Sequence, residues 1–287
     1  MTLLSRSSIL DIMNKLTREK QIQVLSALVE GNSIRSTVRM TGVAKKTVSK
    51  LLVDVGCACA EYHDFVMRNL KCKRVQCDEI WSFCYAKEKN VPADKKGQLG
   101  YGDVWTWTAI DADTKLIASW MVGGRDAEYA EYFIKDLAGR LANRVQLTTD
   151  GHKPYLKAIE NAFANEIDYS MLVKIYGAEN PGPGRYSPPK CTGCRKEKII
   201  GKPDPAHVST SYVERQNLSM RMGMRRFTRL TNGFSKKLEN HQHALALYFM
   251  HYNFVRIHQS LRCSQAMEAG VSTYLWDLGN ILDLLEK

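Results

Sequence analysis

Val75 to Tyr85 constrains this chain more than any other stretch. Apolar and aromatic side chains fall at Val75, Cys77, Trp81, Phe83 and Tyr85 on one parity, the pattern of a well-buried strand. Asp78 and Glu79 nevertheless sit in its middle. A buried carboxylate without a partner takes up a proton or a cation, so the strand predicts an ion pair or a metal. Neighbouring residues face opposite sides of a strand. Either Asp78 is the ligand and Glu79 pairs with a basic side chain, or the reverse.

Two further acids occupy comparable places. Val145 to Gly151 reads as a short strand ending on Asp150, where Gly151 opens a loop. Ser211 to Asn217 starts a helix with Ser211 and Glu214 in capping-box spacing. Glu214 therefore either completes that cap or joins Asp78 and Asp150 as a third acid. Three carboxylates from two strands and a helix suit hard cations that prefer oxygen ligands.

The net charge of +11 favours a polyanionic partner, nucleic acid first and an anionic membrane second. The excess lies at the two ends, since residues 71–177 hold 15 basic and 15 acidic side chains. No apolar run of about 18 residues could span a bilayer, and Met1 to Arg6 lacks the apolar core of a signal peptide. A cytoplasmic protein without membrane contact is the expectation. The eight cysteines are spread rather than regularly spaced and are expected to be reduced.

Near the N-terminus Thr17 caps a helix over Arg18–Glu30, a second runs from Ser33 to Met40, and Thr41-Gly42-Val43 makes a tight turn. A third, basic helix follows over Ala44–Leu52. This is helix-turn-helix spacing, with Lys45, Lys46, Ser49 and Lys50 exposed for DNA. The same three helices also occur as a packing or dimer module. A connecting helix over Val55–Lys73 then leads to the Val75 strand. Strands at Asp103–Asp111 and Leu116–Val122 joined by a hairpin turn, a helix at Asp126–Leu141, the Asp150 strand, a helix at Pro154–Phe163 and a strand at Tyr169–Tyr176 follow. Asp111 and Asp113 read as turn residues, and Trp105 and Trp107 as core. Three strands, then helix, strand, helix, strand and helix, is the order of a ribonuclease H-like α/β fold. It predicts a mixed five-stranded sheet flanked by helices, with Asp78 beside Asp150.

Residues 178–208 hold six of the eight prolines and read as a long inserted loop. Within it Cys191-x-x-Cys194 could bind zinc only if His207 and a distant cysteine completed four ligands; otherwise it is a turn. A helix from Ser211 to about Leu230 carries Arg215, Arg221, Arg225, Arg226 and Arg229, a better match to DNA phosphates than to a solvated face. A last long helix covers Lys236–Val255. Asn253, Arg256 and His258 either position DNA or pin that helix. The division expected is a helix-turn-helix domain over 1–71, a catalytic domain over 72–262 and a helical tail over 263–287.

Cys77-Asp78-Glu79-Ile80-Trp81, Thr148-Thr149-Asp150-Gly151-His152 and Tyr212-Val213-Glu214-Arg215-Gln216-Asn217-Leu218, with the basic stretch that follows, resemble DDE-type bacterial insertion-sequence transposases, most closely the insertion sequence one family. The resemblance runs from about Val75 to His258. It implies that Asp78, Asp150 and Glu214 bind two Mg2+ ions, replaceable by Mn2+, and catalyse DNA cleavage and strand transfer. It also implies double-stranded DNA partners, namely terminal inverted repeats and target, touched by Arg215, Asn217, Arg221, Arg225 and Arg226. A homo-oligomer on paired ends and a nucleoid location in a bacterial cytoplasm follow from it too. The proline-rich insertion before Glu214 departs from the compact spacing of that family. No Walker loop is present, so no nucleotide cofactor is expected. The rival reading is a transposase-derived DNA-binding regulator without chemistry. A tyrosine recombinase is disfavoured because His251 and Arg256 have the wrong separation.

Overall fold

The computed structural model describes residues 16–177, 191–228 and 231–286. Three helices come first: α1 (Arg18–Val29), α2 (Ile34–Thr41) and α3 (Lys45–Val66). Thr17 and Ser33 cap the first two with their hydroxyls. Gly42, at φ 71, takes the left-handed conformation that ends α2. The helix expected to stop at Leu52 and the separate connector expected over Val55–Lys73 form one continuous helix, which ends at Val66 rather than Lys73. Nothing from Val53 to Phe65 breaks it, and Gly56 serves a crossing instead. A Cβ there would lie 2.4 Å from the Cβ of His243 on the last long helix, α7 (Leu238–Met250). At about 33 Å, α3 is long enough to join the N-terminal helices to the main body.

The sheet contains β1 (Arg74–Cys84), β2 (Gly102–Asp111), β3 (Ile117–Gly123), β4 (Gln146–Thr149), β5 (Asp168–Tyr176) and β6 (Cys191–Ile200), in the order β3-β2-β1-β4-β5-β6. The first five strands have the order expected of a ribonuclease H-like sheet. β1 runs antiparallel to β2 and parallel to β4, and β4 parallel to β5. The sixth strand corrects the reading of 178–208 as a loop. The prolines there flank Cys191–Ile200 rather than interrupt it, and that segment pairs antiparallel with β5 from Tyr169 to Tyr176. Its Arg195, Lys196 and Lys198 suit an exposed edge, where charge discourages further strand pairing.

Helices α4 (Ala127–Ala138) and α5 (Pro154–Phe163) cover one face of the sheet, where Trp107, Phe133, Leu147 and Tyr155 share the larger core. Helices α6 (Ser211–Gly223) and α7 cover the other, with Ile80, Val104, Val213, Met220 and Phe249 packed between. The helix expected to reach Leu230 stops at Gly223. Met224 is extended, and Phe227 turns into the core from a short 3-10 turn. A π-helical turn, His251–Val255, prolongs α7. There Asn253 accepts from the N–H of Ile117 at 3.0 Å and donates to its carbonyl at 3.0 Å, so it pins the helix to β3.

The C-terminal stretch forms α8 (Gln265–Glu268) and α9 (Leu278–Asp283). Arg18 on α1 donates to the carbonyl of Gly279 and pairs with Asp283 at 2.6 Å. Trp276 packs on Phe254 and Tyr62. Buried apolar residues on either side of the expected boundaries at 71 and 262, from Val24 to Leu284, belong to one cluster. No helix among the described residues is long and apolar enough to cross a membrane.

Candidate active site

Strand register builds the centre of the site. Cys77 on β1 lies opposite Thr149, the last residue of β4, so Asp78 and Asp150 come next to each other where β4 ends. Asp150 turns back on its loop, accepting from the N–H of His152 at 2.9 Å. Asp78 accepts from the N–H of Glu79 at 2.8 Å and from the Asn217 amide at 2.9 Å. Oxygens of Asp78, Glu79 and Asp150 all lie within 4.8 Å of one another, the only such cluster of ligating side chains among the described residues. A cleft of about 630 Å³ opens over it, lined also by Glu214, Arg125, His152 and Lys174.

The geometry brings both members of the Asp78-Glu79 pair to the cluster and does not choose between them. Glu79 has its expected basic partner, with Arg125 Nε donating to Oε2 at 3.0 Å, yet it also belongs to the cluster. Its side chain is fully buried and Oε1 has no hydrogen-bond partner. The buried Tyr155 hydroxyl faces that carboxylate without closing a hydrogen bond. Arg125 also reaches Asp150 Oδ2 at 3.8 Å and lies over the ring of Trp105, 4.6 Å from its centre. Trp107 is core as expected, but Trp105 is half-buried and carries this cation.

The acids on β1 resist ionisation chiefly because the fold takes them out of water. Burial, followed by the charges of Asp150 and Glu79, pushes Asp78 up to about 7. Burial and Asp150 push Glu79 up to about 7 as well, against the pull of Tyr155 and Arg125. An all-oxygen donor set, an unpaired buried acceptor and carboxylates that resist ionisation together fit a divalent hard cation.

Glu214 lines the same cleft outside the tight cluster, and its expected capping box is absent. The N-cap of α6 is Thr210, and no side-chain cap bond forms from it. Gln76 on β1 supplies the cap, its Oε1 accepting from the N–H groups of Tyr212 at 2.9 Å and Val213 at 3.2 Å. Gln76 and Asp78 share a strand parity, so one face of β1 fixes both the helix start and the first acid. Glu214 is left to receive the Thr210 hydroxyl and the Lys174 ammonium, the latter at 2.6 Å.

The residues expected at DNA are distributed unevenly. Lys45, Lys46 and Lys50 are exposed and Ser49 is half-buried, with Lys50 paired to Asp54. Arg215 and Arg225 are exposed, and Arg221 is half-buried. Asn217 is 8% exposed and donates to Asp78. Arg226 turns inward to the Ser235 hydroxyl at 2.9 Å, and burial draws its pKa down to about 10. Arg229 lies outside the described residues. Cys191 and Cys194 are exposed on β6, while His207 contacts Arg74 and Asp204, and among the described residues no zinc set gathers there. Asp111 and Asp113 are the turn residues expected, Asp111 accepting from the Thr114 hydroxyl and Asp113 pairing with Arg74.

Gln76, Arg125, Tyr155 and Lys174 were not singled out by the sequence. Each acts through a partner distant along the chain. Only Arg125, a lone cation after the Gly123-Gly124 pair that follows a strand, left a local trace.

No protein-family model and no curated protein matches the sequence. Among solved structures the chain is similar to a piggyBac transposase in a synaptic complex with hairpin DNA, determined by cryo-EM. That likeness has 11% identity and a TM-score of 0.41 over 93% of this chain and 69% of the other, an overlap that by itself fixes neither fold nor function.

Proposed function

We propose that this protein is a DDE-type DNA transposase, which cleaves and joins phosphodiester bonds at the ends of its own element. The observation that carries the reading is the juxtaposition of Asp78 and Asp150 at the open end of β4, half-buried beside the buried Glu79 beneath a cleft. Asp78, Asp150 and Glu214 are the residues that would hold two Mg2+ ions, with Mn2+ as a substitute. Bound there, such ions would activate an oxygen nucleophile and stabilise the leaving oxygen.

The chain's own residues prepare that site. Asn217 fixes the orientation of Asp78 through its amide. Gln76 holds the first turn of α6, and through it Glu214, against β1. Lys174 neutralises Glu214 and Arg125 neutralises Glu79, which lowers the repulsion among the acids before a cation arrives. The Asp150 loop presents His152 to the cleft, where burial and Arg125 hold the imidazole below its usual pKa and hence neutral at pH 7. The three N-terminal helices are assigned to the terminal repeats, and paired ends require an oligomer.

Those same two ion pairs also favour one other reading. Acids already paired with lysine and arginine suit a DNA-binding regulator that has kept the fold and lost the chemistry. Labelled DNA carrying the sequences that flank the gene separates the two, with wild type and Asp150→Ala assayed for Mg2+-dependent nicking and joining and for binding. The transposase reading expects wild type to cut and join while Asp150→Ala binds normally and is slower by at least a thousandfold. Binding by both without cutting by either, in Mg2+ and in Mn2+, establishes the regulator.

A further inference from the structure

A second cleft, of about 800 Å³, opens between the three N-terminal helices and the segments that follow α6. Its floor is apolar, with Leu52 of α3 and Leu247 of α7. Arg35 and Lys45 project from the N-terminal side, and Arg225, Lys236 and Lys237 from the opposite side. All five are exposed, and among the described residues no carboxylate lines the cleft. None of the five forms an ion pair with the described residues; Lys236 lies over the ring of Phe234, 3.7 Å from its centre. Five cations left unneutralised around an apolar floor match a sugar-phosphate strand, whose phosphates need cations and whose sugars do not.

The position of this cleft relative to the acids follows from two independent elements. Glu214 and Met224 are ten residues apart along α6 and its end, about 15 Å at helical rise. Asp78 and Phe83 are five residues apart on β1, about 17 Å at strand rise. The Phe83 ring packs on Phe234 in the wall of the basic cleft, with centroids 4.6 Å apart. For a duplex lying along them, the two routes span about four and about five nucleotide steps, at about 3.4 Å per step.

We propose that the basic cleft seats the phosphate backbone of one strand of duplex DNA, gripped from both sides at once, and so sets the cut about four to five nucleotides from the clamp. The inference rests on the DNA substrate of the transposase reading and adds a site to it. Phosphate contacts carry no sequence information directly, so the clamp fixes register while recognition lies elsewhere.

The test uses the full-length protein without divalent cations, so that cleavage plays no part. Binding of labelled duplex is measured from about 50 to 200 mM salt, for the flanking sequence and for an unrelated one. The variants are Lys236→Glu/Lys237→Glu and, as a control with the same charge change, Lys135→Glu/Lys157→Glu on α4 and α5. The cleft pair is expected to weaken binding at least tenfold for both sequences and to flatten the salt dependence by about two phosphate contacts. The control is expected to stay within about threefold. Phosphate-ethylation interference about four to five nucleotides from the cut should vanish in the cleft pair alone. A melting temperature matching wild type shows that each variant folds. Equal losses in both pairs, or none in the cleft pair, overturn the clamp and leave the acidic site untouched. Failure of wild type to bind any DNA overturns the clamp together with the transposase reading.

Discussion

Asp78 sits in a conflict: burial and the charges of Asp150 and Glu79 oppose its ionised form, while the Glu79 N–H, the Asn217 amide and a cation favour it. In an unfolded chain it loses its proton near its ordinary value of 3.8, whereas in the folded chain it holds it to about 7. Between those values the folded chain binds more protons, so stability falls as pH rises from about 4 to about 7 and stays low above. Without metal, Asp78→Asn should therefore be more stable than wild type at pH 8, by about 1–3 kcal/mol. At pH 4.5 most of that gain should be absent. Thermal melts at the two values check this; a variant less stable than wild type at pH 8 would contradict the account. The same substitution should abolish nicking, which is the signature of a site whose charge serves function rather than folding.

At the scale of elements, the placement of α6 depends on one side chain of β1. Gln76 is 3% exposed and receives two first-turn N–H groups. Gln76→Leu leaves the buried Val213 N–H and the part-buried Tyr212 N–H without a partner and should cost about 1–3 kcal/mol in a urea titration. It should also slow nicking at least tenfold, because Glu214 moves with its helix. Gln76→Glu keeps the acceptor but places another buried carboxylate beside Asp78, so its recovery of stability should be larger at pH 5 than at pH 8. A Gln76→Leu protein as stable and active as wild type would show that α6 is held by packing alone. Local chemistry explains what the sequence made legible: β1, the Asp150 strand end, the Asp111–Lys115 hairpin turn and the cap at Thr17 are written in adjacent residues. The cap on α6 was not legible, since its acceptor lies 136 residues from Tyr212. β6 was hidden because prolines lie on either side of it and its own run, Cys191–Ile200, is mostly polar and charged without apolar alternation. The continuity of α3 was hidden because Gly56 reads locally as a helix weakness, while its reason is a neighbour on α7.

Across the whole molecule, one apolar cluster joins the N-terminal helices, one face of the sheet and the C-terminal stretch. That shared core keeps the exposed lysines of α3 at a set distance from the acids of β1 and β4. The adjacency of Asp78 and Asp150 could be anticipated because strand order alone produces it. The ion pairs of Arg125 and Lys174 could not, because they depend on where three separate elements converge. Those pairs make cation uptake the central question, and Mn2+ titration followed by calorimetry or by paramagnetic resonance answers it without DNA or a known terminal sequence. Wild type is expected to bind Mn2+ saturably and to release protons at pH 7 as the Asp78-Glu79-Asp150 cluster ionises, while Asp150→Ala loses that uptake and keeps its fold. Equal uptake by the two proteins, or none by either, would contradict a metal-dependent site at Asp78 and Asp150.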